Sequence, residues 1–136
     1  MNRHTFTRFV TGLIASMALI SGIAQANETL DYTPGLVEER LAAGETLFVD
    51  YFATWCSTCA RQEKILEELR AENPEFDENI TFVKIDWDTY QGHEVTRSRN
   101  IPRRSTLLVL RGDEELGRIV AGTDKEAIKA LIAKGL

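Results

Sequence analysis

Cysteine and histidine, the side chains that hold structural zinc, are scarce in this sequence. Among 136 residues there are two cysteines, Cys56 and Cys59, and two histidines, of which only His93 lies beyond the N-terminal segment. A tetrahedral Cys/His zinc site takes four ligands, so one chain without that segment is one ligand short. The sequence therefore predicts no metal site within one chain. Two chains sharing a metal or an iron–sulfur cluster through four cysteines stay open as an alternative.

Positive charge is also in deficit. The 16 Lys and Arg residues face 21 Asp and Glu residues, which leaves a formal net charge of −5, and no basic stripe stands out. This balance argues against binding to nucleic acid or to an anionic lipid surface. The composition, with 43% hydrophobic and 27% charged residues and no repeat or low-complexity tract, is typical of one globular domain.

Long hydrophobic runs are missing except at the N-terminus. Arg3 and Arg8 precede an apolar stretch over residues 9–24, and Ala24-Gln25-Ala26 has the small-x-small form of a cleavage site. This order predicts a secretory signal peptide at residues 1–26, followed by one domain at residues 27–136. A retained membrane anchor is the alternative, although the run is short for a span.

Loss of two arginines with the signal peptide would change the net charge from −5 to −7. We expect the cleaved chain to be a monomer in a bacterial periplasm, without stable membrane association.

The remaining chain alternates between helical and strand patterns. We expect a loose lead-in at residues 27–32, a helix capped by Thr33, and a last helix with a Thr123/Glu126 capping box. The predicted elements are a helix up to Gly44, a strand at 46–53, a helix from Cys56 to about Arg70, a strand at 80–86, a weak helix at 90–99, strands at 105–110 and 116–121, and the last helix. Asn73-Pro74 should end the long helix. The order predicts an α/β fold with a mixed central sheet, a βαβ unit plus a β-hairpin, flanked by helices.

The stretch at residues 48–69 carries the chemistry. A buried strand runs into Trp55-Cys56-Ser57-Thr58-Cys59, and a helical pattern begins at the first cysteine. A thiol at a helix N-terminus faces unpaired backbone N–H groups and the positive end of the helix dipole, and both favour the reactive thiolate. Cys56 and Cys59 can also approach closely enough to form a disulfide. A structural staple across three residues would close almost no loop, which weakens that alternative.

Residues 49–59, Val-Asp-Tyr-Phe-Ala-Thr-Trp-Cys-x-x-Cys, resemble the active-site segment of the thioredoxin family. The resemblance covers the chain from about Thr33 to Leu136 and implies a thioredoxin-like fold. It also implies a protein-disulfide oxidoreductase in which Cys56 attacks the partner's disulfide and Cys59 resolves the mixed disulfide. No cofactor is expected beyond the redox-active Cys56–Cys59 disulfide. The expected partners are protein disulfides or dithiols and an electron-donating thiol protein.

Asp50 matches the buried acid of the family, which takes and returns the proton of the resolving thiol. A desolvated carboxyl group has a raised pKa and can move a proton near neutral pH. Lys84 matches the family's lysine near that acid. For both residues the alternative is a solvated side chain on the sheet.

Trp55 matches the family's tryptophan beside the dithiol, where it would shield the sulfurs and form part of a docking surface; ordinary core packing is the alternative. Ser57 and Thr58 offer hydroxyl and N–H groups to a thiolate but add no charge. They are a poor guide to the redox potential, which varies widely among C-x-x-C proteins.

The chain departs from the family pattern at the residue that packs against the dithiol, which is normally a cis-proline. Aligning the strand at Leu107 places Ser105, followed by Thr106, at that position, whereas aligning on Ile101-Pro102 places Pro102 there. We favour Ser105, because burial of the strand sets its register. A cis bond before a serine would be costly. Arg103 and Arg104 would then lie near the site, or simply be solvated.

Three alternatives remain for the function. The first is the same exchange chemistry run as an oxidant. The others are a metal-binding module and a non-catalytic binding domain that keeps the fold.

Overall fold

A five-stranded mixed sheet organises residues 28–136, the part of the chain that the computed structural model describes. The strands are β1 (Leu30–Asp31), β2 (Thr46–Phe52), β3 (Thr81–Asp86), β4 (Thr106–Arg111) and β5 (Glu114–Val120). Their order is β1-β3-β2-β4-β5, with parallel pairing of β3 to β1 and β2 and antiparallel pairing of β4 to β2 and β5. The predicted βαβ unit and hairpin are confirmed. The expected signal peptide at residues 1–26 lies outside the described residues.

Six helices accompany the sheet in the described part of the chain. They are α1 (Leu36–Ala42), α2 (Ser57–Glu72), α3 (Pro74–Asn79), α4 (Trp87–Tyr90), α5 (Glu94–Arg97) and α6 (Lys125–Ala133). Ile128, Leu131 and Ile132 form the buried face of α6, as predicted. Within residues 28–136, none of these helices combines the length and the apolar character needed to cross a bilayer.

The sheet is covered on both faces, which explains why β2 is almost continuously apolar. Val49 and Tyr51 pack with Val37 of α1 in one core, whereas Phe48 packs with Leu66 of α2 in the other. Alternation along the strand places Asp50 on the same face as Phe48. The carboxyl group therefore lies on the side of the sheet that α2 covers.

Several local predictions were wrong at element ends. The lead-in contains β1, because Leu30 and Asp31 pair with Val83 and Lys84. A segment of two residues is too short to show a strand pattern, so this long-range pairing could not be predicted from the sequence. The long helix does end before Pro74, but α3 begins there, since proline is tolerated in a first helical turn.

The predicted caps and the weak helix also differ. Gly35, in the left-handed region at φ 91°, precedes α1 in place of Thr33. Asp124, not Thr123, caps α6, and its carboxylate accepts from the Ala127 N–H at 2.8 Å. The predicted weak helix at 90–99 is reduced to α5, which His93 caps, while α4 lies earlier and ends at Tyr90.

Two connections bring distant parts of the chain to one edge of the sheet. β2 ends at Phe52 and leads through residues 53–56 into α2. β4 runs antiparallel to β2 and starts opposite its end, where Tyr51 faces Thr106. The residue before β4, Ser105, therefore meets the start of α2.

Candidate active site

The two cysteines form a disulfide at the N-terminus of α2. Cys56 is the N-cap of this helix, and its sulfur accepts a hydrogen bond from the Cys59 N–H at 3.1 Å. Their Cα atoms are 5.2 Å apart, within the ordinary range for a disulfide. The predicted helix start at the first cysteine is confirmed, and Cys56 Sγ occupies the place where a helix stabilises negative charge.

The disulfide borders an open cleft of about 260 Å³, lined among others by Asp50, Glu63 and Lys84. Cys56 is 6% exposed and Cys59 is 3% exposed, so the first cysteine is the more accessible of the two. We expected Cys56 to be reachable by a partner. In the disulfide form it is mostly covered, although it lines this cleft.

Asp50 carries a buried carboxyl oxygen beneath α2. Its Oδ1 is shielded from solvent and has no hydrogen-bond partner within residues 28–136, although the residue as a whole keeps some exposure and lines the cleft. The pKa of Asp50 is raised from 3.8 to about 7, chiefly by burial and in part by the negative charge of Glu63, while the positive charge of Lys84 acts to lower it. A carboxyl group with this pKa can take or give a proton near neutral pH.

Glu63 on α2 and Lys84 on β3 both line the cleft that Asp50 borders. Lys84 lies on β3 beside Asp50, forms a long ion pair with Asp31 at 3.8 Å, and places its ammonium 5.2 Å from the centre of the Phe52 ring. Glu63 is exposed on α2 and was missed by the sequence analysis. Its position four residues after Cys59, hence on the same helix face, was the available indication.

Trp55 lies outside the core, with 59% of its surface exposed. Its indole N–H donates to Asp88 Oδ2 at 2.8 Å, and the Arg104 guanidinium lies 4.5 Å from the ring centre. The apolar cover of the sulfurs comes instead from Ala53, Phe52 and Trp87. The structure therefore excludes the core-packing alternative for Trp55 and leaves it as an exposed ring beside the disulfide.

Ser57 and Thr58 occupy the first turn of α2, where Ser57 is exposed and Thr58 is half-buried. Within the described residues, their hydroxyl groups are not among the hydrogen-bond partners of the sulfurs. Any help they give to a thiolate comes through the helix end that they help to form.

Ser105 faces both sulfurs. Its Oγ lies 3.2 Å from Cys56 Sγ and 3.1 Å from Cys59 Sγ, and the residue is fully buried. Pro102 is exposed on the preceding loop, and residues 28–136 contain no cis peptide bond. The register that places Ser105 at the usual proline position is therefore the one the structure has.

The backbone of Ser105 is strained. Its φ of 62° lies in the left-handed region, which costs a non-glycine residue about 1 kcal/mol or more. Its neighbour Thr106 turns away from the sulfurs, since its hydroxyl donates to the Arg103 carbonyl at 2.7 Å. Of Ser105 and Thr106, the two residues expected near the dithiol, only Ser105 contacts the disulfide.

The arrangement suits thiol–disulfide exchange by the cysteines themselves. It combines a sulfur at a helix N-terminus, a second sulfur one turn later, and a carboxyl group that titrates near neutral pH on the same cleft. Within residues 28–136, no three His, Cys, Asp or Glu side chains are grouped so as to hold a metal ion.

The sequence is similar to those of several thioredoxins. The family model described as Thioredoxin matches residues 30–134. Thioredoxin from Chlamydia pneumoniae is 34% identical over 96 residues, which are 71% of this chain and 88% of that protein. Thioredoxin H2-1 from Oryza sativa is 32% identical over 84 residues, 62% of this chain and 56% of that protein. Against some relatives the chain thus spans less than two thirds of their length.

The fold is also similar to solved structures. The crystal structure of Trxlp from Edwardsiella tarda EIB202 superposes with a TM-score of 0.68 at 26% identity, covering 77% of this chain and 98% of that one. Because the family model spans most of the chain and the disulfide lies in the matching segment, the chain belongs to the thioredoxin family, and its Cys56–Cys59 pair is a disulfide oxidoreductase centre.

Proposed function

We propose that this protein exchanges disulfides with exported proteins in the periplasm, after removal of residues 1–26. Cys56 is the nucleophile, Cys59 the resolving cysteine and Asp50 the proton acceptor. The observation that carries the proposal is the shared cleft, where the disulfide borders a carboxyl group whose pKa is raised to about 7. The export part rests on the basic start, the apolar stretch and the Ala24-Gln25-Ala26 site of the N-terminal segment.

In the reducing direction, the first step is attack on a partner's disulfide. The Cys56 thiolate bonds to one partner sulfur, the partner's S–S bond breaks, and the other partner sulfur leaves as a thiolate. The helix N-terminus and the Cys59 N–H, 3.1 Å from Cys56 Sγ, stabilise the thiolate that begins this step. The enzyme and its partner are then joined by a mixed disulfide.

The second step releases the partner. Asp50 takes the proton of the Cys59 thiol, and the Cys59 thiolate attacks Cys56 Sγ. The bond from Cys56 to the partner breaks as the Cys56–Cys59 bond forms, and the second partner sulfur leaves with the proton returned by Asp50. Two electrons have passed from the dithiol to the partner. Because Asp50 and Cys59 border one cleft that has room for water, the proton can pass between them through a water molecule.

A trapping experiment tests the exchange chemistry. Cys59→Ala removes the resolving sulfur, so the full chain expressed in a bacterium should accumulate mixed disulfides between Cys56 and its partners. These should run as slow bands on non-reducing gels and disappear after reduction. The double variant Cys56→Ala/Cys59→Ala is the matched control and should show none. Absence of such bands with Cys59→Ala contradicts the proposal.

Compartment and direction need separate measurements. Fractionation followed by mass spectrometry of the N-terminus should find a periplasmic chain that begins at Asn27. A full-length chain in the cytoplasm contradicts export without touching the exchange chemistry. Equilibration with glutathione buffers gives the potential of the pair, which separates a reductant from an oxidant.

A further inference from the structure

The Ser105 hydroxyl is placed almost equally close to the two sulfurs, at 3.2 Å from Cys56 Sγ and 3.1 Å from Cys59 Sγ. A disulfide sulfur carries no hydrogen, so the hydroxyl is the donor in this state. It has one proton and can serve one sulfur fully at a time. Since Ser105 is fully buried, this hydrogen bond acts where the local dielectric is low and charge is poorly solvated.

The reaction moves negative charge between these two sulfurs. In the dithiol form the charge lies on Cys56 Sγ, which also receives the Cys59 N–H. In the mixed disulfide the charge lies on Cys59 Sγ as it attacks. Within residues 28–136, the Ser105 hydroxyl is the hydrogen-bonding group found within reach of Cys59 Sγ. Cys59 therefore depends on Ser105 more than Cys56 does.

We propose that Ser105 is a catalytic hydrogen-bond donor that follows the charge from Cys56 to Cys59, and that Gln62 is the positioning residue that holds it. The role rests on the proposed exchange reaction. The hydroxyl keeps its proton throughout: no bond to Oγ forms or breaks, and only the sulfur that accepts the hydrogen bond changes. The proline usual at this position in the family has no donor to offer.

Three hydrogen bonds fix the backbone of Ser105 in its strained conformation. Its N–H donates to the Tyr51 carbonyl at 2.7 Å. Its carbonyl accepts from the Ala121 N–H at 2.8 Å and from Gln62 Nε2 at 3.1 Å. A left-handed serine persists when its surroundings over-determine it in this way. The position of Oγ is thus set by β2, by the end of β5 and by α2 together.

Gln62 links Ser105 to the helix that carries the sulfurs. It lies three residues after Cys59 on the same face of α2, and it is fully buried. Its amide nitrogen donates to the Ser105 carbonyl and to the Gly122 carbonyl at 2.9 Å. Two carbonyl acceptors require the NH₂ group on this side, which settles the amide orientation. A fully buried amide group that donates to two loop carbonyls indicates that Gln62 positions the loop that carries Ser105.

Ser105→Ala and Ser105→Gly test the donor. Alanine removes the hydroxyl with little change in shape, and glycine removes it while suiting the left-handed φ, so at least one variant should fold. The pKa of the Cys56 thiol, followed by the ultraviolet absorbance of the thiolate, should rise by about one unit. Thr96→Val, which removes a buried hydroxyl bonded to the Tyr90 carbonyl, is the control and should leave this pKa unchanged.

The second readout separates the two sulfurs. Reduced protein mixed with an aromatic disulfide releases one coloured thiol when Cys56 attacks and a second when Cys59 resolves. In the Ser105 variants the second release should slow by about tenfold or more, beyond any loss in the first. An unchanged thiol pKa together with an unchanged second phase, in a folded variant, overturns the donor role.

A double-mutant cycle tests Gln62. Gln62→Met keeps the length of the side chain and removes both donors. It should slow the second phase and raise the thiol pKa in the parent, but change neither in the Ser105→Ala background, because its effect passes through Ser105. Equal changes in both backgrounds reject the positioning role. The thiol pKa needs no partner protein, so a failed trapping experiment and a failed Ser105 assignment remain distinguishable.

Discussion

Asp50 and Lys84 face each other in register on the parallel strands β2 and β3. The pairing places a cation beside a carboxyl group that burial would otherwise keep protonated. Glu63 on α2 borders the same cleft, and its negative charge opposes the effect of Lys84 by raising the pKa of Asp50. The protonation of Asp50 near neutral pH is therefore set by three elements of the fold.

The first prediction concerns stability. The pKa of Asp50 is raised from 3.8 to about 7 in the folded chain, so the folded state holds this proton more tightly than the unfolded state. Stability should therefore fall as pH rises through the window between these values, by up to about 4 kcal/mol in all. Asp50→Asn should remove most of this fall and be the more stable protein above the window. Denaturant unfolding of the oxidised proteins on both sides of the window measures it; parallel curves for the two proteins contradict it.

The second prediction concerns the rate of the Cys59 step. With Asp50 as proton acceptor, the rate of resolution should rise as pH passes through about 7, where the carboxylate forms. Asp50→Asn should lose this rise and resolve the mixed disulfide at least tenfold more slowly, a conservative figure for lost acid–base catalysis of about 10²-fold or more. The second thiol release from an aromatic disulfide gives the rate. The first release, from Cys56, serves as the internal control, because a general loss of structure slows both.

The third prediction concerns Glu63. Its negative charge raises the pKa of Asp50, so Glu63→Gln should move the pH dependence of resolution to lower pH. Glu67→Gln, one turn further along α2 and also exposed, is the matched control, because Glu67 is not among the charges that raise this pKa. Equal shifts for the two variants indicate only a change in net charge.

The fourth prediction concerns Lys84. Its positive charge lowers the pKa of Asp50, so Lys84→Met should move the same pH dependence to higher pH. The opposite directions for Glu63 and Lys84 separate an effect on Asp50 from general damage to the site. A shift to lower pH for Lys84→Met contradicts the assignment.

The fifth prediction concerns Ser105→Pro, which restores the residue usual in the family. Proline holds φ near −65° and has no N–H, whereas Ser105 has a φ of 62° and donates to the Tyr51 carbonyl at 2.7 Å. We expect a loss of about 3 kcal/mol or more in the free energy of unfolding. Pro102→Ala, at an exposed loop position, should change it by less than about 1 kcal/mol. Equal stability for Ser105→Pro and the parent shows that the loop can rebuild around a proline.

Helix α6, strand β1 and Trp87 show which features can be predicted from the sequence and which cannot. Ile128, Leu131 and Ile132 identified the buried face of α6, because a helical period depends only on neighbours along the chain. β1 was missed, because two residues become a strand only when β3 is already beside them. Trp87 was not predicted to cover the sulfurs, because its contact with them needs β3 and α2 to be packed together.

By itself the sequence determined the strand, the turn and the helix that begins at Cys56, the acid within the strand, and through these the family. Each depends on spacing over a few residues, where the backbone geometry of one element decides the outcome. The sequence favoured Ser105 over Pro102 at the position that faces the sulfurs, and the family resemblance placed Lys84 near the acid, but only the tertiary structure decided between the two registers. It alone showed that the Ser105 hydroxyl lies close to both sulfurs, that Gln62 donates to the Ser105 carbonyl, and that Glu63 and Lys84 shift the pKa of Asp50 in opposite directions. These contacts join α2, β3 and the start of β4. Ser105 reaches the sulfurs because of the antiparallel register of β2 with β4, and that register depends on residues far apart in the sequence, since it is set by which side chains the whole sheet buries.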